Sequence, residues 1–320
     1  MSLLQPGQRT LRFGQRTLRF GQSKVLLVLF YMSLAMGAWA FIEHLPRFYS
    51  QHYTSFEIVW LRYSVHLLFM LAVFGPRHKL RLVRTRRLGL QMVRGMLMMG
   101  MHLSFIFAVR WLSLTATMAS FWVAPLLLIG IALALESQKH GWGSLFQSAK
   151  GRILATVIAS ILCFGGVLLM SRPLSVLLHP AALLAVGMAL CFALYMQMTR
   201  AMRDEDLLAS LFHTAFSVWL VLSFILPFYW VTPTLSDWLV FIAIGLIGYW
   251  AIYGLDKAVE HAPTWIVAPF AFTQPIFVLV FDFAFSGQLP GRSAFAGAAL
   301  IAACLAFLAW TGRQPDVHQP

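Results

Sequence analysis

The chain has 320 residues, of which 60% are hydrophobic and only 11% charged, with a mean hydropathy of +0.76. Soluble domains average about 45–50% apolar and about 25% charged residues, so a water-soluble globule is excluded. The formal net charge of +13 would suggest nucleic acid in a soluble chain, but in a membrane chain it is first a topology signal, because Lys and Arg gather in cytoplasmic segments.

Residues 1–23 form a basic arm in which GQRTLRF occurs twice in tandem between residues 7 and 20. It reads as a flexible cytoplasmic extension rather than a signal peptide, because the apolar run that follows is of full span length and no small-residue cleavage site succeeds it. About 20 consecutive apolar residues cross a bilayer as a helix, the one local structure that satisfies its own backbone in hydrocarbon. Ten runs meet that length, near 24–42, 55–74, 90–109, 113–135, 153–171, 181–199, 207–230, 238–255, 264–285 and 293–311. With the N-terminus inside, 18 of the 24 Lys and Arg fall in inner segments, which places both termini in the cytoplasm. The run from Arg77 to Arg87 belongs to this signal, with lipid headgroups rather than nucleic acid as its surroundings. Cys163, Cys191 and Cys304 lie in apolar runs without metal or disulfide spacing and read as packing residues.

A shift of 150 residues brings two long segments into register. Phe107-Ala108-Val109 meets Lys257-Ala258-Val259, Gly95 meets Gly245 and Pro125 meets Pro275. Five helices per half is an odd number, so the second half enters from the opposite side, the signature of an inverted repeat. Trp39 in the first span, Arg62 in the second, and the segment SFIFAVRWLSLTATMASFWVAP from Ser104 to Pro125, echoed from Gly254 to Pro275, are similar to the EamA-type members of the drug/metabolite transporter superfamily. The resemblance covers nearly the whole chain after the arm. It implies ten helices in two inverted repeats, at 24–172 and 180–312, followed by a cytoplasmic tail at 313–320. It departs from the family where Gly-Glu is usual about a dozen residues after the proline. Ser137-Gln138 and Gly287-Gln288 stand there, with Glu136 displaced.

Ionisable residues inside spans cost about 2.5–3.5 kcal/mol at a helix centre on insertion scales, so each needs a partner, water or a function. Arg62 and His66 share a face of the second helix, Arg62 as an intramembrane polar or coupling residue or part of a packed seam, His66 as a cavity residue or a packing one. Arg94 is close enough to the cytoplasmic end to snorkel, and His102, deeper on that helix, is expected to line the cavity. His213 is expected to make a structural contact, and Asp206 to cap a helix start. Asp282 is the carboxylate best suited to proton coupling, against the alternative of a boundary residue, while Asp256 and Lys257 adjoin the inner end of the eighth span. Pro125 and Pro275 are expected to bend or break their helices as hinges. Trp39, Trp122, Tyr195, Tyr249, Tyr253 and Gln274 complete the candidate cavity wall, with lipid or helix packing as the alternative for the aromatics.

An enzyme would need chemistry that is missing here, since the chain has no HExxH, no phosphate loop and no intramembrane aspartate pair. The expectation is an all-α bacterial inner-membrane carrier of a small organic metabolite such as an amino acid, exporting it by alternating access. Uptake of a vitamin or nucleotide-like metabolite, or export of lipophilic cations, stands as the alternative. No cofactor is expected. The partners are a small-molecule substrate and the bilayer, with proton coupling and a homodimer left open. The excess of basic and His groups over clear carboxylates within spans favours an anionic substrate.

Overall fold

The computed structural model describes residues 22–45, 53–171, 180–287 and 289–311, so the tandem repeat of the arm and the residues after 311 lie outside the described residues. Among the described residues, ten helices are long and apolar enough to cross a membrane: α1 (Lys24–Glu43), α2 (Ser55–Val73), α3 (Leu88–Ala108), α4 (Ala116–Lys139), α5 (Lys150–Ser171), α6 (Ala182–Ala201), α7 (Leu207–Phe228), α8 (Leu235–His261), α9 (Thr264–Ser286) and α10 (Arg292–Thr311). They reproduce the ten apolar runs to within a few residues, with α8 the largest difference. It continues six residues beyond the apolar stretch and carries Asp256 with it.

Several helix starts are fixed by side-chain caps that accept one of the otherwise orphaned N–H groups. Thr54 accepts from the Glu57 amide at α2, Asp206 from Ala209 at α7 and Thr234 from Asp237 at α8, as expected for Asp206. Two spans are interrupted. In α4, helix Leu114–Phe121 gives way at Trp122-Val123 to Ala124–His140, with Pro125 in the first turn of the second piece. In α9, Thr264–Val267 passes through a 3-10 stretch, Ala268–Phe272, into Thr273–Ser286, where Pro275 sits in the first turn. Both prolines therefore stand just past a break, where a missing N–H costs nothing. α9 ends at Gly287, whose φ of 68° is left-handed and open to glycine with little strain.

Helix packing has an internal symmetry. The main contacts are α1 with α8 and α9, α6 with α3 and α4, α2 with α8, α7 with α3, α2 with α7 and α5 with α10. Exchanging each helix for the one five places along maps this set onto itself. The close approaches repeat as well: a Cβ on Gly95 would meet Ser217 Cβ and the Thr214 carbonyl, and one on Gly245 would meet Val65 Cβ and the Arg62 carbonyl. These contacts pair α3 with α8 at a shift of 150 and α2 with α7 at 152. The caps Thr54 and Asp206 stand at the second of these shifts. Side chains such as Phe30, Leu68, Leu183, Phe224 and Leu239 are exposed around the bundle, an apolar outer surface that suits hydrocarbon and not water.

Candidate functional site

A partly open cavity, with about 580 Å³ of space free of protein atoms when its open mouth is included, lies between the two halves, walled by residues of α1, α2, α3, α4, α6, α8 and α9. Its α1 residues sit in the last two turns of that helix and its α2 residues in the first two, so it occupies the half of the bundle away from the chain termini. The wall is mostly apolar, with Ile42, Phe105, Phe121 and Ile244 among its residues, and carries Glu43, Arg62, His102 and Gln274 as its strongly polar groups.

Glu43 is the last residue of α1 and is buried. The Gln274 side-chain Nε2 donates to both of its carboxylate oxygens at 2.9 Å, and Gln274 Oε1 accepts from Trp122 Nε1 at 3.4 Å. The break in α9 puts Gln274 there, ahead of Pro275, and the break in α4 delivers Trp122 to it. Trp39 lies one turn before Glu43 on the same face, edge-on to His102 with ring centroids 6.4 Å apart. His102 Nδ1 lies 2.8 Å from the Met98 carbonyl, so that nitrogen carries a proton and Nε2 is left to accept or, in the charged ring, to donate. Neither His102 Nε2 nor Trp39 Nε1 has a partner among the described residues, although both are buried. Buried polar atoms are almost always satisfied, and two orphans in one cavity wall are what a bound ligand would satisfy. The Arg62 guanidinium completes the wall, packed so tightly over Gly248 that a Cβ there would lie 2.6 Å from Arg62 Nε.

Of the residues singled out from sequence, Trp39, Arg62, His102 and Gln274 are brought together in this wall, with Trp122 one hydrogen bond behind. The others are elsewhere. His66 sits one turn further along α2, edge-on to Tyr249 at 5.2 Å, and Tyr249 packs on Phe69 at 4.9 Å and near Tyr253 at 6.2 Å, an aromatic cluster outside the cavity. Tyr195 donates to Asp256 Oδ1 at 2.8 Å. Asp282 lies within 3.0 Å of His44 Nε2 with its side chain 52% exposed, a boundary position. His213 Nδ1 bonds the Ala209 carbonyl in its own helix.

Two carboxylates were not read correctly from sequence. Glu43 was passed over because it falls one residue beyond the apolar run. Asp256 was placed at a helix end, and Arg94 was expected to snorkel. Instead, Arg94 and Asp256 form a fully buried ion pair at 2.9 Å. Arg94 also donates to Thr199 at 3.1 Å, to Thr214 at 2.6 Å and to the Ser210 carbonyl. This network ties α3, α6, α7 and α8 together in the half of the bundle nearer the termini. On the same side Arg200 donates to the Val259 carbonyl at 2.9 Å, and Thr264 to Gln197 Oε1 at 2.9 Å.

Residues 179–310, almost the whole second half, match the EamA-like transporter family. This half of the chain is similar to EamA-type transporters. The chain is 22% identical over 265 residues to a protein of Rickettsia prowazekii (strain Madrid E) named as an S-adenosylmethionine uptake transporter, an alignment covering 81% of this chain and 84% of that one. A solved crystal structure superposes on 92% of this chain and 100% of its own with a TM-score of 0.70 at 15% identity, a likeness of fold. The chain's ten apolar helices make it a multi-pass membrane protein, and the family match and the relative point to small-molecule transport rather than to an enzyme.

Proposed function

We propose that this protein is an EamA-type secondary carrier in a bacterial inner membrane, with cytoplasmic termini. In this reading it moves a small zwitterionic metabolite by alternating access between two inverted five-helix repeats, 24–172 and 180–312. The observation that carries the reading is the cavity between the halves, which holds one acid, Glu43, one fixed cation, Arg62, and the orphaned Trp39 and His102 nitrogens in an aromatic setting. A wall of that kind suits an ammonium at Glu43, a carboxylate at Arg62 and an apolar or planar body between them. The preference for a plain anion is therefore revised, since Glu43 joins the wall and Arg94 is already paired elsewhere. Amino acids are the first candidates, moved outward. Uptake is the second reading, favoured by the similarity to the protein named as an S-adenosylmethionine transporter, whose named substrate also has an amino-acid head. Glu43, rather than Asp282, is the carboxylate placed to exchange a proton with the cavity.

The test is thermal stabilisation of the detergent-purified protein with amino acids, S-adenosylmethionine, organic anions and lipophilic cations, because a ligand that binds only the folded state raises its stability. A shift with a zwitterion that disappears in both Glu43→Gln and His102→Ala supports the reading. Shifts confined to lipophilic cations overturn it. Counterflow in oriented vesicles then separates export from uptake.

A further inference from the structure

The internal symmetry of the packing assigns a role to the Arg94 network. The shift of 150 between α3 and α8 relates Arg94 to Ile244 and Asp256 to Ile106. The shift of 152 between α2 and α7 relates Ser210 to Ile58 and Thr214 to Arg62. Ile244, Ile106, Ile58 and Arg62 all line the cavity. The network therefore stands in the place that the cavity would occupy if the two halves exchanged roles. Other positions agree, since Ile252 and Leu255, the counterparts of the cavity residues His102 and Phe105, are completely buried.

We infer that residues Arg94, Asp256, Ser210 and Thr214 are the closed form of a second, latent cavity facing the terminus-bearing side, and that they become its lining when the present cavity closes. This inference rests on the alternating-access reading. In an inverted repeat the two access states are related by swapping the conformations of the halves, so the region equivalent to an open cavity is the one that must open next. The polar character of the region fits. In the closed form the guanidinium donates to Thr199, Asp256, Ser210 and Thr214, groups that water can hydrate on opening, whereas an apolar plug would expose only hydrocarbon to water. A charged pair is stable both dry and paired and wet and separated, because water can replace each contact that opening breaks. A cavity that alternates between the two states has use for such a pair.

The experiment reads conformation directly, with and without counterflow of a zwitterion. Cys163, Cys191 and Cys304 are replaced, and single cysteines are introduced by Ile252→Cys for the latent cavity and Ile106→Cys for the present one. Both are labelled with a membrane-impermeant maleimide applied separately to each face of oriented vesicles. The inference predicts labelling of Ile252→Cys from the terminus-bearing face and of Ile106→Cys from the opposite face. Tyr195→Phe removes one hydrogen bond from Asp256 without touching either charge, and should raise the first rate and lower the second by about tenfold. Asp256→Asn should act in the same direction more strongly where it folds. An Ile252→Cys thiol that stays unlabelled from the terminus-bearing face while vesicles carry out counterflow, or that is labelled from the same face as Ile106→Cys, overturns the latent cavity and leaves the carrier reading intact. Opposite labelling at the two sites with no response to any zwitterion overturns the substrate reading alone.

Discussion

The Arg94–Asp256 pair gives the sharpest energetic prediction. Both side chains are essentially inaccessible, at 1% and 0%, and Arg94 donates four hydrogen bonds, of which Asp256 accepts one across 2.9 Å. Removing one member of a buried pair leaves the other charge desolvated and uncompensated, at a cost of about 3–5 kcal/mol, whereas replacing both with apolar residues of similar volume is often neutral or better. Asp256→Leu and Arg94→Met should therefore each destabilise by about 3–5 kcal/mol. The double variant should lie within about 2 kcal/mol of the native protein, losing the hydrogen bonds to Thr199, Thr214 and Ser210 and the one that Asp256 accepts from Tyr195. Stability is measured by reversible unfolding in mixed micelles titrated with dodecyl sulfate, followed through the fluorescence of the 11 tryptophans. The coupling from the double-mutant cycle decides the matter. Two single effects that simply add, or singles that each cost less than about 1 kcal/mol, would refute the buried pair and return Arg94 to the interface.

Four further outcomes are expected. Gln274→Leu removes both hydrogen bonds to Glu43, each worth about 0.5–1.5 kcal/mol. Counterflow should fall at least about tenfold, with Gln274→Asn retaining more than Gln274→Leu. Gly297→Ala drives a Cβ to 2.3 Å from the Gly166 carbonyl where α5 crosses α10, so melting in detergent should report a loss of about 1–3 kcal/mol. Gly130→Ala in α4, with nothing within 4 Å, should be neutral or gain up to about 1 kcal/mol of helix propensity. His44, just past α1, has Nδ1 2.6 Å from the Ala40 carbonyl and Nε2 3.0 Å from Asp282. Partial burial pulls its pKa down, but the hydrogen bonds to Asp282 and Ala40 and the nearby carboxylates more than offset this, leaving it raised above 6.5. The folded state therefore holds this proton more tightly than the unfolded one. The resulting stabilisation is complete below pH 6.5 and lost as pH rises through the folded value. Melting temperature should fall across that interval in the native protein and fall less in Asp282→Asn, and equal pH profiles would remove the His44–Asp282 contact from the account.

The ten spans were legible because each apolar run matches a bilayer and nothing but a helix satisfies its backbone there. The offset of 150 was legible because Gly95 and Gly245 are both held to glycine by a neighbouring helix. Which face of each helix points inward was not legible. In lipid the outer face is as apolar as the core, and the middle stretches of α6 and α8 carry no polar stripe to fix their rotation. For that reason Tyr195, Tyr249 and Tyr253 were grouped with Trp39, although the fold sends them to different clusters. Arg94 and Asp256 are 162 residues apart, and hydropathy treats each as the end of a span. Only the packing of α3 on α6 and α7, with α8 closing the network, makes them partners. For Glu43 a signal did exist, since Trp39 and Glu43 are four residues apart and share a face, but the apolar run ended one residue too soon to include it.

The two equivalent regions differ in a way that bears on how the molecule works. Around the present cavity three of the four equivalent positions are isoleucine, whereas the opposite region holds Arg94, Asp256, Ser210 and Thr214, joined by directional bonds. An apolar wall can close on itself with little specificity, but the directional bonds of the polar network are made in one arrangement only. The resting equilibrium is thus set on the network side, while ligand chemistry is set on the cavity side. Moving a two-state equilibrium from 1:99 to 99:1 takes about 5.5 kcal/mol of differential binding, so trimming the network lowers what the substrate must supply without altering what the wall recognises. Thr214→Val removes one acceptor from Arg94 and lies outside the cavity wall. It should change the turnover rate of counterflow severalfold while leaving the order of preference among substrates unchanged, whereas His102→Ala should alter that order. A Thr214→Val protein with a reordered substrate series would show that the two regions are one site and that this division of labour is wrong.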